Sequence, residues 1–270
     1  MDELILMEWN INQRSNYGDI TNIPNVIIEK IKNIKADIIV LTEFFKVDNY
    51  KDFISDLEKE NYTVFLDPRK AEKNKNQILI AISNKIYISN GGQLKWLPND
   101  INGSNPNLLQ VEVQFKDKSL TIIGTRIRVN NTKATIYEKR KFIKDQLETL
   151  ENYLRGIHST KVISIGDFNI WHTWANKNLN LPQEYTITGP KFNMNSNDFK
   201  SLDNWSFVFE DGSKAPIDFI ISKNITLSNL KYDWDFVTPN NGYGYLKPED
   251  DKSDLTGLPD HAILTASIKI

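Results

Sequence analysis

Three short segments of the chain combine carboxylate, amide and imidazole side chains that together could hold a cation. They are Glu43, residues 166–169 (Gly-Asp-Phe-Asn) and residues 259–261 (Pro-Asp-His). Each segment borders a short apolar run, and such runs are typical of strands buried in a sheet. Core packing does not explain a carboxylate at the end of a buried strand, whereas rigid scaffolds usually present functional groups there. The segments therefore predict one polar pocket that is negative enough to hold a hard divalent cation.

The composition restricts the kind of cation and the kind of partner. The chain has no cysteine and three histidines, which excludes thiolate ligands and disulfides and disfavours a multi-histidine zinc site. The metal should therefore have oxygen ligands, as Mg²⁺ or Mn²⁺ does. A net charge of −2 is not the usual signature of a nonspecific DNA binder, although it is compatible with a local basic groove.

Length and patterning indicate a single domain over residues 1–270. Apolar residues make up 40% of the chain and charged residues 25%, as in ordinary soluble globular proteins, and no linker-like stretch divides the sequence. No apolar run approaches the roughly 18 residues of a membrane-spanning helix, and the N-terminus does not have the pattern of a signal peptide. We therefore expect a cytoplasmic protein, unless a leader has been removed, and by default a monomer.

Helical and strand patterns alternate along the chain. One predicted helix begins at Pro24, and two others cover residues 50–60 and 135–155. The predicted strands cover residues 4–9, 37–41, 62–66, 77–82, 109–115, 119–125, 161–165, 206–209, 217–221 and 262–270. Several strand pairs are joined by turns too short for a parallel crossover. We therefore expect an α/β (α+β) fold, a four-layer α/β/β/α sandwich of two mainly antiparallel sheets flanked by helices.

Five short motifs stand at the ends of predicted strands. They are residues 9–12 (Trp-Asn-Ile-Asn), 41–43 (Leu-Thr-Glu), 166–169 (Gly-Asp-Phe-Asn), 217–220 (Ile-Asp-Phe-Ile) and 259–261 (Pro-Asp-His). Each motif alone is weak, because such strings also occur by chance. In this order, over nearly the whole chain, they resemble the endonuclease/exonuclease/phosphatase superfamily, which includes exonuclease-III-like nucleases and pancreatic-type deoxyribonucleases.

The resemblance implies a Mg²⁺-dependent phosphoesterase, with Mn²⁺ as a substitute. Glu43 would be the principal metal ligand, assisted by Asn10 and, through water, by Asp260. Asp167 would orient or deprotonate the attacking water, and Asn169 would donate a hydrogen bond to a phosphate oxygen.

An Asp–His pair completes the implied catalytic set. His261 would hydrogen-bond the phosphate, and Asp218 would hold the imidazole in one tautomer and orientation. Trp171 follows the third motif in a predicted loop, where an exposed indole could stack on a base; packing under the loop is the equal alternative.

Two positions depart from the family pattern. Asn12 stands where the family often has an acidic residue, which lowers the negative charge near the cation. Arg126 stands where many members place His or Tyr. A guanidinium binds phosphate oxygens with its planar fork but does not act as an acid or base at ordinary pH. A solvated structural role for Arg126 is nearly as compatible with the sequence.

Simpler interpretations exist for the same residues. Residues 167 to 169 suit an Asx-turn after a strand, and Asp218 could pair with Lys214. Glu43 could be a surface residue or support a helix N-terminus, and Asn10 could cap the loop that follows it.

The substrate is less defined than the reaction. We expect a nuclease acting on DNA or RNA, and the mild acidity weighs against long duplex DNA. The alternatives are a phosphatase or phosphodiesterase on inositol phosphates, phospholipids or other small phosphoesters, and a catalytically weak binding protein on the same scaffold.

Overall fold

The computed structural model describes residues 3–12, 22–66, 76–86, 95–96, 105–129, 134–191, 204–209, 213–236 and 259–270. The strands are β1 (Glu3–Asn10), β2 (Ile38–Phe44), β3 (Tyr62–Leu66), β4 (Gln77–Ser83), β5 (Lys95–Trp96), β6 (Asn107–Phe115), β7 (Lys118–Arg126), β8 (Val162–Asp167), β9 (Tyr185–Thr188), β10 (Phe207–Val208), β11 (Lys214–Ala215), β12 (Asp218–Lys223), β13 (Thr226–Asp233) and β14 (Ile263–Lys269). The helices are α1 (Asn25–Ile34), α2 (Tyr50–Lys59), α3 (Ile136–Arg155) and α4 (His172–Asn178).

Most of these strands form two sheets of similar design. The first sheet has the order β13-β14-β1-β2-β4-β3 and the second has the order β5-β6-β7-β8-β12-β9. Among the described strands, each sheet has one parallel pair, β1 with β2 and β7 with β8, and its other pairs are antiparallel. Parallel neighbours need a crossover, which α1 supplies in the first sheet and α3 in the second.

Two clusters of buried side chains define the layers. In the larger cluster, Val40 and Ile80 of the first sheet pack with Ile122 of the second, together with Ile27 of α1 and Leu57 of α2. In the smaller cluster, the helical stripe Leu147, Leu150 and Leu154 of α3 packs with residues of the second sheet. The sheets therefore face each other and the helices cover their outer sides. The expected sandwich of two mainly antiparallel sheets flanked by helices is confirmed.

The two sheets approach each other closely at Gly124 in β7. A Cβ atom at this position would lie 2.5 Å from Cγ2 of Ile78 and 3.0 Å from Cγ1 of Val40. Because a side chain has no room here, glycine permits the close contact between the sheets. Gly124 lies two residues before the end of β7, so the sheets are held together directly behind the functional residues described below.

Helix α3 begins at a well-formed capping box. The hydroxyl of Thr135 accepts a hydrogen bond from the backbone N–H of Glu138 (3.3 Å), and the Glu138 carboxylate accepts one from the Thr135 N–H (2.7 Å). These two bonds satisfy backbone donors that a helix otherwise leaves unpaired at its start. The sequence prediction of a helix over residues 135–155 is confirmed.

The sequence prediction was wrong over residues 172–178, which form α4 and not a loop. This helix has seven residues, no side-chain cap and one buried residue, Ala175, so it carries almost no helical pattern. The strands β5, β9, β11 and β13 were not predicted either. The register of β13 shifts between Ser228 and Lys231, and its residues are mostly partly exposed, which obscures the alternation of a strand.

No helix in the described parts of the chain combines the length and the apolar character that a bilayer crossing requires.

Candidate active site

The parallel strand pairs of both sheets end at one edge of the sandwich. In the first sheet Asn10 is in register with Thr42, next to Glu43, and in the second Arg126 is in register with Asp167. The first residue of the antiparallel β12, Asp218, also pairs with Asp167. A hydrogen bond of 3.0 Å from Asn10 Nδ2 to Asp167 Oδ2 joins the two sheets at this edge.

The backbone turns sharply where these strands end. Asn12, Glu43 and Asn169 have positive φ angles of 48°, 53° and 51°, in the left-handed region that non-glycine residues seldom adopt. The pairing of β2 with β4 shifts between Leu41 and Phe44, which indicates a bulge at Glu43. Bulges and strained residues are frequent next to active sites, where they re-aim side chains.

Gly166 permits the close approach of β8 to β7 just before Asp167. A Cβ atom on Gly166 would lie 1.7 Å from the carbonyl oxygen of Thr125, and its φ of 155° is unfavourable for other residues. The glycine of the third motif is therefore required by the backbone packing, which places Asp167 at the sheet edge.

Two asparagines hold the Asp167 carboxylate. Asn169 donates its backbone N–H to Oδ1 (2.9 Å) and its side-chain Nδ2 to Oδ2 (2.9 Å), while Asn10 donates to Oδ2 (3.0 Å). Asn169 Nδ2 also donates to the carbonyl of Ile127 (2.7 Å). The Asx-turn of the simpler interpretation is therefore present, and it also fixes the direction of the Asp167 side chain.

His261 and Asp218 form the pair that the resemblance implies. His261 Nδ1 lies 2.8 Å from Asp218 Oδ2. The other ring nitrogen, Nε2, lies 3.3 Å from Asn10 Nδ2 and 3.9 Å from Asp260 Oδ1. One ligand atom each of Asp167, Asp218 and His261 lies within 4.8 Å of the others. Residues separated widely in the sequence thus share one buried cluster.

The surrounding residues fix both members of this pair. The Ser206 hydroxyl accepts a hydrogen bond from the Asp218 N–H (3.1 Å), and the Tyr232 hydroxyl donates to the Asp218 carbonyl (2.6 Å). Trp9 Nε1 donates to the His261 carbonyl (2.9 Å), and the ring of Phe207 lies 4.6 Å from the imidazole, centroid to centroid.

Burial and the nearby charges shift the pKa values of these groups. Burial raises the pKa of Asp167 to about 7; His261 and Arg126 oppose the shift, and the charges of Asp218 and Glu43 add to it. For His261, burial alone lowers the pKa, but the charge and hydrogen bond of Asp218, with the charge of Asp167, raise it to about 10.

Arg126 is part of the cluster. Its Nη2 atom donates to Glu43 Oε1, and its Nε atom lies 4.0 Å from Asp167 Oδ2. Its side chain is 11% exposed, so the solvated structural role considered from the sequence does not describe it. Arg128, two residues further on, donates instead to the carbonyl of Asn105 (2.8 Å) and lies over the ring of Phe142.

Trp171 lies at the margin of this arrangement. It is 36% exposed, directly precedes α4, and has its ring 6.0 Å from that of Trp205 in an edge-on orientation. No hydrogen bond within the described residues links it to the cluster. The structure therefore brings together the predicted residues Asn10, Glu43, Arg126, Asp167, Asn169, Asp218, Asp260 and His261, and leaves Trp171 outside them.

Glu8 was not predicted from the sequence. It is fully buried in β1, accepts a hydrogen bond from the Thr42 hydroxyl at Oε1 (3.1 Å), and interacts electrostatically with Asp218, His261 and Asp167. Burial, together with the charges of Asp218 and Asp167, raises its pKa well above the usual range. The sequence does contain a signal for Glu8, because a glutamate interrupts the apolar run of β1. Glu8 also stands two residues before Asn10, and so on the same side of the strand.

The chemistry of the donor set fits a hard divalent cation. The cluster gathers five buried carboxylates around the cationic groups of Arg126 and His261: Glu8, Glu43, Asp167, Asp218 and Asp260. Burial raises the pKa values of Glu8 and Asp167, and the charges of neighbouring carboxylates add to the rise, which a bound cation would oppose. The donors are carboxylate and amide oxygens with one imidazole, which Mg²⁺ and Mn²⁺ accept.

The chain belongs to the Endonuclease/Exonuclease/phosphatase family, because the model of that family matches residues 7–244. Members of the family are phosphoester hydrolases that include nucleases and phosphatases, and they depend on a divalent metal. The chain is accordingly a phosphoester hydrolase of this class. No curated protein matches its sequence significantly.

Solved structures share the fold at low sequence identity. D. rerio TDP2, in complex with a single-strand DNA product, is 13% identical, with 100% of both chains covered and a TM-score of 0.68. ANGEL2, a 2',3'-cyclic phosphatase, is 12% identical, with 98% of this chain and 95% of that chain covered and a TM-score of 0.70. The human Nocturnin catalytic domain, with a bound sulfate anion, is 18% identical, with 99% and 94% covered and a TM-score of 0.60.

Proposed function

We propose that this protein is a Mg²⁺-dependent nuclease that hydrolyses phosphodiester bonds in DNA or RNA, with Mn²⁺ as a substitute. The observation that carries the proposal is the Asp167 carboxylate, which two asparagines orient at the sheet edge beside the His261–Asp218 pair. Hydrolysis needs an oriented base for water and cationic groups for the phosphate oxygens, and this cluster offers both.

Glu43, Asn10 and Asp260 are the residues that would hold the cation. A divalent cation bound there polarises the phosphate and offsets the charge that develops on its oxygens. The side-chain oxygen of Asn10 is oriented by a hydrogen bond of 3.0 Å from the N–H of Asn12. Asn12 itself provides a neutral oxygen where the family often has a carboxylate, so we expect a weaker metal site than in members with an acid there.

Asp167 is the proposed base. Its three hydrogen bonds from Asn10 and Asn169 hold the carboxylate in one direction, and a pKa near 7 is suited to accepting a proton from water at neutral pH. Both side-chain hydrogens of Asn169 are engaged, by Asp167 and by the Ile127 carbonyl. A direct bond from Asn169 to a phosphate oxygen therefore requires one of these contacts to open.

His261 and Arg126 are the proposed phosphate contacts. Asp218 accepts a hydrogen bond from Nδ1 of His261, so the imidazole presents Nε2 toward the space beside Asn10 and Asp260. A pKa raised to about 10 favours the protonated form of His261, which can donate from Nε2 to a phosphate oxygen. Trp171 is the proposed stacking surface for a base.

The position of α3 supports a polymeric substrate over a small phosphoester. Gln146 is bound to the backbone of Arg128, just beyond the end of β7, by hydrogen bonds of 2.9 Å and 2.8 Å. The helix begins ten residues earlier, so about 15 Å of helix precedes this contact, and the residues of its first two turns are mostly exposed.

The part of α3 before Gln146 carries suitable chemistry for a phosphate backbone. Residues 136–145 contain four basic and two acidic side chains, and Tyr137 is 74% exposed. A cationic segment with an exposed aromatic ring beside the catalytic cluster matches the electrostatic and stacking contacts that single strands use.

The test compares hydrolysis of a single-stranded oligonucleotide, plasmid DNA, an inositol polyphosphate, sphingomyelin and bis(p-nitrophenyl) phosphate, with Mg²⁺ and with a chelator. We expect metal-dependent cleavage that is fastest on the oligonucleotide. Preference for an inositol phosphate or a lipid would identify the small-phosphoester alternative. Absence of hydrolysis with a demonstrated bound cation would identify a binding protein.

A charge-reversal pair tests the role of α3 directly. In the double variant Arg140→Glu/Lys141→Glu we expect KM for the oligonucleotide to rise about tenfold and its salt dependence to weaken, because phosphate contacts are lost. Turnover of bis(p-nitrophenyl) phosphate should not change. The control Lys32→Glu/Lys116→Glu reverses two exposed charges at the opposite edge and should behave as wild type.

A monomeric state and a cytoplasmic location remain predictions from the sequence, and the oligomeric state can be measured by sedimentation.

A further inference from the structure

Arg126 and the expected metal ion depend on the same carboxylate. The guanidinium Nη2 donates to Oε1 of Glu43, and the Glu43 side chain is only 1% exposed. An ionised carboxylate buried to this degree needs a cationic partner, because leaving it unpaired is strongly destabilising. In this structure Arg126 is that partner.

The backbone places Arg126 in this position. Arg126 ends β7 in register with Asp167 of β8, while Glu43 lies at the bulge that ends β2 in the other sheet. The guanidinium therefore bridges the two sheets, with Nη2 on Glu43 and Nε at 4.0 Å from Asp167 Oδ2. Arg128, on the same chain segment, faces Asn105 and Phe142 and does not share this contact.

We propose that Arg126 is a resident counter-ion of the metal site, which a divalent cation has to displace from Glu43 in order to bind. This inference rests on the proposed role of Glu43 as a metal ligand. A cation next to a guanidinium is repelled by it, and the repulsion is large in a buried site with a low effective dielectric constant. Arg126 therefore lowers the affinity of the site for its metal.

Displacement leaves Arg126 close to the reacting groups. Its Nε atom lies near Asp167, so a guanidinium that leaves Glu43 stays beside the carboxylate proposed to act on water. The planar fork is then available for phosphate oxygens. Metal binding and phosphate binding are coupled in this way, because the same event that fills the metal site releases the arginine.

The experiment measures Mn²⁺ binding to the whole protein by electron paramagnetic resonance of free Mn²⁺, without reference to activity. We expect Arg126→Gln to bind Mn²⁺ at least about tenfold more tightly than wild type, since a nearby positive charge is removed. Arg126→Lys keeps the charge without the planar fork and should give an intermediate affinity. Arg128→Gln is the matched control and should bind as wild type does.

The outcomes separate this inference from the proposed function. If Glu43→Gln abolishes Mn²⁺ binding but Arg126→Gln binds no more tightly than wild type, the counter-ion role is wrong and Glu43 remains the ligand. If wild type and Glu43→Gln bind Mn²⁺ equally, or neither binds, the metal site assigned to Glu43 is wrong and the inference fails with it. Circular dichroism verifies that each variant is folded.

Discussion

Hydrogen bonds from two asparagines fix the Asp167 carboxylate. Three hydrogen bonds from Asn10 and Asn169 reach its two oxygens, so the side chain has one orientation. Asparagine at this position would have an amide NH₂ group that faces the N–H donors of Asn10 and Asn169. It would also lack the carboxylate that accepts a proton.

We expect Asp167→Asn to reduce turnover about 10²–10⁴-fold, the usual contribution of a general base. The control Asp117→Asn changes an exposed residue in the turn between β6 and β7, at the opposite edge, and should keep wild-type turnover. Steady-state kinetics on the oligonucleotide measure the effect. A folded Asp167→Asn protein with more than about a tenth of wild-type turnover would show that the base is another group.

Glu8 permits a second prediction at the residue scale. Its carboxylate is fully buried, with a pKa raised by burial and by two neighbouring carboxylates, so the charged form is unfavourable there. Glutamine has nearly the same shape and can keep the hydrogen bond from Thr42 without a charge. We therefore expect Glu8→Gln to increase the free energy of unfolding at neutral pH, as measured by urea denaturation.

The exposed change Glu148→Gln is the control for Glu8, and it should alter the free energy of unfolding by no more than about 0.5 kcal/mol. A decrease in stability for Glu8→Gln would mean that the negative charge of Glu8 is itself stabilising, as a partner of His261.

At the scale of elements, the start of α3 connects helix stability to substrate binding. The capping box of Thr135 and Glu138 holds the first turn of a helix whose first ten residues precede its contact with Arg128. We expect Thr135→Ala to lower the free energy of unfolding by about 0.5–2 kcal/mol, and to raise KM for the oligonucleotide as the first turn frays. Thr135→Ser keeps a hydroxyl at the cap and should retain the wild-type free energy of unfolding and KM. If Thr135→Ser and Thr135→Ala had equal effects, the role of the cap would be contradicted.

Elements with a strong pattern could be predicted from the sequence, and elements without one could not. The long helix α3 carries a leucine stripe and a capping box, and the buried strands β2 and β8 are short apolar runs. By contrast, α4 buries only Ala175 and has no cap, so its formation depends on its neighbours. The edge strand β13 is mostly only partly buried and irregular, and it forms because β14 offers it a pairing partner.

At the scale of the whole molecule, we propose that residues 1–270 form one domain whose two sheets unfold together. The cluster joins both sheets through Asn10 with Asp167 and through Arg126 with Glu43, and a large apolar core lies between them. Circular dichroism and tryptophan fluorescence should therefore report one thermal transition with the same midpoint. Two separate transitions would indicate two domains.

A bound cation should stabilise the whole molecule. A ligand that binds only the folded state adds about 2.7 kcal/mol at a concentration of 100 times its Kd, so Mg²⁺ should raise the melting temperature and a chelator should reverse the rise. In Glu43→Gln we expect Mg²⁺ to leave the melting temperature unchanged. If Mg²⁺ stabilises this variant as much as wild type, the cation binds elsewhere in the molecule.

The sequence by itself determined the reaction class and predicted the residues of the cluster other than Glu8. A carboxylate or amide at the end of an apolar strand is recognisable without a structure, because the period of a strand and its termination are local properties, and the order of five motifs identified the family. Only the tertiary structure decided which of these groups touch. Arg126 meets Glu43, and Glu8 lies buried beneath the site, because two sheets from distant parts of the chain pack face to face. Such contacts depend on packing between elements, which no local pattern of residues encodes.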